Sequence, residues 1–144
     1  MTILVDDHLL SLLLRNEAPA GLVGGGEDVF TTGYWYVRLC QAVLGAADRT
    51  GALSAPFAAL PDRERASAVA AVLELPGEIG MLSLRELAPL IASLRARHQL
   101  NILAMEALAA AVRLGARVVL AAPSPRLEAA LAAENLACEV RAMT

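Results

Sequence analysis

At 144 residues with a formal net charge of −3, the chain is sized for one domain with its own core and lacks the positive excess that draws proteins onto nucleic acid. Hydrophobic residues make up 57% but aromatics only 3%, so Ala and Leu supply the core; this favours packed helices over an all-β sandwich and excludes the aromatic–basic surface of a single-strand binder. All 12 basic residues are Arg, and a mean hydropathy of +0.54 without a run long enough to span a bilayer implies a dense Ala/Leu core or an apolar oligomer surface.

Thr2 to Val5 is a short apolar run of the kind found in buried parallel strands, ended by Asp6 and Asp7. His8 to Arg15 then reads as a short Leu-rich helix. Asn16 to Gly26, with Pro19, Gly21 and three consecutive glycines, reads as a loop. Val29 to Thr31 is a second strand candidate, and Thr32 is placed to cap a helix from Gly33 to about Ala47. Asp48 to Pro61 reads as a connection with room for a helical turn, and a helix follows from Pro61 or Asp62 to about Glu74.

Beyond the Pro76-Gly77 break, Ile79 to Leu82 is a weak strand candidate. Ser83 and Glu86 have the spacing of a capping box. Pro89 leaves two readings: a kinked helix, or one whose regular part starts at Ala88; both run to about His98. Asn101 predicts an N-cap, with Leu100 and Met105 as a hydrophobic staple and Gly115 as the stop. Arg117 to Ala121 is the clearest strand. Ser124-Pro125 starts a helix to about Asn135, and Ala137 to Arg141 is a last short strand. This alternation predicts one α/β domain over residues 1–144: three layers, α/β/α, around a mostly parallel sheet of 4–5 short strands.

Cys40 and Cys138 form no C-x-x-C pair, so they read as packed thiols of a reduced, cytoplasmic protein, and the N-terminus lacks the basic region of a signal peptide. Gly24-Gly25-Gly26 invites a phosphate-loop reading, but such a loop needs a Lys that this chain lacks, so a flexible loop is expected. Tyr34-Trp35-Tyr36 holds three of the five aromatic residues. Successive helical positions differ by about 100°, so the three cannot share one core. Either one or two rings cover the sheet, or Tyr34, Trp35 and Tyr36, with Arg38 one turn on from Tyr34, anchor a partner. Arg95, Arg97 and His98 either complete a helix dipole or meet RNA phosphate.

Three segments together carry a family resemblance. The opening ILVDDHLLSLLL, the stretch TTGYWYVRLCQAV, and LNILAMEALAAAVRLGARVVLAA followed by SPRLEAALAAENLACEV resemble, in order and spacing, the PIN-domain nucleases. The resemblance covers most of the chain and implies the PIN-like three-layer fold. It also implies a site at the carboxyl ends of the strands, where three or four carboxylates hold Mg²⁺ or Mn²⁺ for RNA hydrolysis.

Carried over by position, the first family Asp falls on Asp6. The family's Glu falls on Arg38, and its two later Asp residues fall on Ala104 and Ala122. A guanidinium at a ligand position competes with the metal for its place. The resemblance therefore implies a degenerate member without a resident cofactor, which acts by self-association or by binding a protein partner. RNA contact is secondary and no membrane is involved.

The competing expectation is a divergent, toxin-like ribonuclease using Mg²⁺ or Mn²⁺. Asp6 would be its catalytic residue, and Asp6, Asp7 and Glu106 its rearranged metal set. Against this, Glu106 follows Ala104 by about 200° of helix, and Asp7 points away from Asp6 if the strand continues through it. The plainer reading makes Asp6 and Asp7 a helix cap and a charge on the helix dipole, with His8 a half-exposed side chain rather than a ligand. A third expectation is a small-molecule site at the strand ends near Asp6 and Tyr34.

Overall fold

The computed structural model describes residues 1–22, 26–45 and 51–141. Gly24, Gly25, the expected helix end at Ala46 and Ala47, and Asp48 lie outside them. In chain order the elements are β1 (Thr2–Val5), α1 (Asp7–Leu14), β2 (Asp28–Thr31), α2 (Gly33–Leu44), α3 (Ala55–Ala58), α4 (Asp62–Leu73), β3 (Ile79–Met81), α5 (Leu84–Leu94), α6 (Ile102–Leu114), β4 (Arg117–Leu120), α7 (Pro125–Ala133) and β5 (Cys138–Val140). Among the described residues no helix is long and apolar enough to cross a membrane.

Local chemistry sets the boundaries. Thr32 Oγ1 accepts from the Trp35 amide at 3.1 Å, and Asn101 Oδ1 from Ala104 at 2.8 Å. Leu100 and Met105 are both buried in one core, as the staple requires. Gly115 takes the left-handed conformation at φ +62°. Its amide and that of Ala116 close back on Val112 and Ala111, a Schellman stop that only a residue tolerant of positive φ makes cheaply. Ser124 stands at the start of α7 without capping it; Glu128 Oε2 instead accepts from the Ser124 amide at 2.7 Å.

Two helices end earlier than their sequence pattern predicts. α5 runs unbroken through Pro89, whose ring faces solvent, and stops at Leu94 because tight turns follow and Arg95 Nη1 reaches the Leu100 carbonyl. α7 stops at Ala133, with Asn135 in the left-handed region at φ 60°.

The five strands are all parallel, in the order β3-β2-β1-β4-β5. Because successive side chains alternate across a sheet, each central strand feeds two cores. Leu4, Val118 and Leu120 face α5, α6 and α7, whereas Ile3, Val5 and Val119 face α1, α2, α3 and α4. This is the three-layer α/β/α arrangement with helices on both faces. Trp35 departs from the pattern: it stands on α2, yet packs in the core on the α6 side.

Candidate functional site at the sheet switch point

The strand order creates one special place. The chain leaves β1 toward β2 on one side, and returns from β3 to enter β4 on the other. At the carboxyl ends of β1 and β4 the connections diverge, which is where open α/β sheets form their crevice. A cleft of about 340 Å³ lies there. Asp6, Arg38, Ala104 and Ala122, the positions matched to the PIN-domain acids, all line it, with Asp7, His8, Trp35, Asn101 and Ser124.

Asp6 is 7% exposed and joins the two strand ends. Its Oδ1 accepts from the Leu9 amide at 3.0 Å, capping α1, and its Oδ2 accepts from the Ala121 amide at 2.8 Å, just beyond β4. Burial, outweighing these two bonds, pushes its pKa above the ordinary 3.8. The folded state thus holds the proton more tightly than the unfolded chain. This contribution to stability is complete below pH 3.8 and is lost as pH rises through the folded pKa. In urea titrations between about pH 3 and about pH 7, wild-type stability relative to Asp6→Asn is expected to fall across that window. A relative gain would show that the amide bonds, not burial, dominate.

Asp7 does not point away from Asp6. The strand stops at Val5, Asp6 caps, and Asp7 stands in the first turn of α1, where the helix dipole favours its charge. Both reach the cleft. Asp7 Oδ1 accepts from the His8 amide at 2.9 Å, and Arg38 Nε lies 3.3 Å from Asp7 Oδ2.

Glu106 faces elsewhere, as its offset from Ala104 requires. It is 1% exposed. Its two oxygens accept from the Gly33 amide at 3.1 Å and the Tyr34 amide at 2.8 Å. It thereby caps α2 from another helix, an arrangement the sequence reading missed. A Cβ at position 33 would stand 3.1 Å from Glu106 Oε2, so glycine lets the carboxylate approach.

The three aromatics separate as helical geometry demands. Trp35 is 3% exposed, which corrects its reading as a displayed anchor. The Tyr36 hydroxyl donates to the carbonyls of Val72 and Leu73 at 2.8 and 3.1 Å, closing the end of α4. Tyr34 is half-buried and Arg38 exposed.

The basic cluster is absorbed locally. Arg97 and His98 both pair with Glu134 at the end of α7, His98 Nε2 at 2.8 Å from Glu134 Oε2. Cys40 and Cys138 are free, half-buried thiols. Burial, then the Glu128 charge, pushes Cys138 up to about 11, so it stays protonated and unreactive at neutral pH.

The donor set does not fit a divalent cation. Such an ion needs several oxygen ligands that converge on one point. Asp6 is turned to the Leu9 and Ala121 amides, Asp7 lies beside the Arg38 guanidinium, and Glu106 faces the first turn of α2. Among the described residues, no three His, Cys, Asp or Glu side chains form a group able to hold a metal ion. Comparison of the chain with profiles of known protein families and with curated protein sequences gives no match.

Proposed function

We propose that this is a PIN-like domain that does not hydrolyse RNA and acts by binding protein, either a second copy of itself or a partner. The observation that carries the reading is the engagement of Asp6, Asp7 and Glu106 within the fold. A hydrolytic site needs carboxylates free to take a metal and activate water. Here the same groups cap helices and balance a guanidinium. The meeting of Asp6, Arg38, Ala104 and Ala122 in one cleft supports the resemblance on which the reading draws.

The binding half rests on α2. Val37 and Leu44, seven residues apart and so on one face, are both exposed large apolar side chains. Leu73 is a further exposed apolar side chain, at the end of α4 that the Tyr36 hydroxyl ties to α2. Large apolar side chains exposed on one helix face are the kind of surface that association covers.

Light scattering after gel filtration is expected to give a mass above the 15.1 kDa protomer, reduced by Val37→Asp with Leu44→Asp while helical content is kept. An unchanged mass in that variant would remove α2 as the interface. Varied RNAs are expected to stay intact with Mg²⁺ or Mn²⁺. Cutting that needs the metal and is lost in Asp6→Asn would establish the ribonuclease reading instead.

A further inference from the structure

Asp7 is a buried charge without a backbone explanation for half of its carboxylate. The side chain is 3% exposed, and Oδ2, shielded from solvent, makes no hydrogen bond among the described residues. Arg38 Nε faces that oxygen at ion-pair distance, 3.3 Å. A buried carboxylate stays charged at tolerable cost only beside a counter-charge. The Arg38 side chain is 52% exposed, so its charge meets water on one side and Asp7 on the other. Ala104 and Ala122, lining the same cleft, project only a methyl group and leave room around the pair.

We propose that Arg38 is a tethered counter-ion: its guanidinium stands where a cation would sit beside Asp7 and keeps divalent cations out of the cleft. It follows that a carboxylate in place of Arg38 opens a cation site on Asp7. The inference rests on the reading of the cleft as one without metal chemistry, and extends it by naming the group that enforces this. The electrostatics are simple. A divalent ion approaching Asp7 is repelled by a fixed positive charge on the same oxygen. With that charge reversed, two carboxylates and retained waters meet the usual needs of Mn²⁺ or Mg²⁺.

The test compares wild type, Arg38→Glu, Arg38→Gln, and Arg38→Glu combined with Asp7→Asn. Each is stripped with chelator, then titrated with Mn²⁺, following the thermal midpoint and the paramagnetic resonance of free Mn²⁺. Wild type is expected to show no response. Arg38→Glu should melt lower than wild type without metal, and gain about 5 to 10 °C once Mn²⁺ reaches about 100 times its dissociation constant. Adding Asp7→Asn should cancel that gain.

Equal Mn²⁺ binding by wild type would overturn the proposal, as would a folded Arg38→Glu that leaves free Mn²⁺ unchanged. If Arg38→Glu does not fold, Arg38→Gln decides, because it must bind Mn²⁺ more tightly than wild type. The two readings fail separately. RNA cutting by wild type refutes the binding reading, whereas unresponsive variants refute only the tethered counter-ion.

Discussion

Replacing Glu106 by Ala is expected to destabilise the domain by about 3 to 5 kcal/mol, since charge-assisted bonds from a buried carboxylate to two partly buried amides are lost together. The Gly33 and Tyr34 amides both depend on this carboxylate. Both lie in the first turn of α2, where helix amides have no partner within their own helix. Relief from burying one charge offsets part of the loss, which is why the expected figure stays below the sum of two such bonds. For a chain of this size the thermal midpoint should fall by roughly 10 °C. Glu106→Gln keeps one acceptor but turns an amino group toward an amide donor, and should recover less than half of the deficit. Urea unfolding of the three proteins measures this directly. A loss under about 1 kcal/mol, no more than one ordinary hydrogen bond, would mean that water replaces the carboxylate.

Trp35→Ala is expected to cost about 3 to 5 kcal/mol through the cavity it leaves. The ring is 3% exposed and belongs to the core shared with Leu4, Met105 and Leu120. Lost association in this variant would therefore follow from lost folding, and far-UV circular dichroism recorded beside the solution mass separates the two. Trp35→Phe retains a ring in the core and should keep both fold and mass. Wild-type stability in Trp35→Ala would contradict the packing. As the chain's one tryptophan, Trp35 also gives a fluorescence report on the α6-side core.

The fold was legible because its signals are local. Thr32, Asn101 and Gly115 each act within four residues of themselves, so a cap or stop could be read without knowing the rest of the molecule. The alternation of short apolar runs with helices then implied a parallel sheet, and all five strands are parallel. The weaker boundaries, at α5 and α7, depend on turns that the apolar pattern does not encode.

The site was half legible for the same reason. The resemblance, carried over by position, brought Asp6, Arg38, Ala104 and Ala122 forward, and they share a cleft. What each carboxylate does there is decided by partners far along the chain. Glu106 meets amides 72 and 73 residues away, and Asp6 meets one 115 residues away. No periodicity marks such pairs. Likewise the resemblance shows Arg38 as a wrong charge at a position it assigns to a ligand, but its pairing with Asp7 depends on β1 stopping at Val5 rather than continuing through Asp7.

The sheet order has a consequence for how the chain is made. β1 is the central strand and is completed on its second edge only by β4, whose first residue is Arg117. During synthesis from the N-terminus, β1 can pair with β2 long before β4 is made. Ile3, Leu4 and Val5 thus belong to a nascent, open apolar edge until residues 117–120 emerge. So long-range a closure is intrinsically slow. The Asp6 bond to the Ala121 amide is the contact that records its completion.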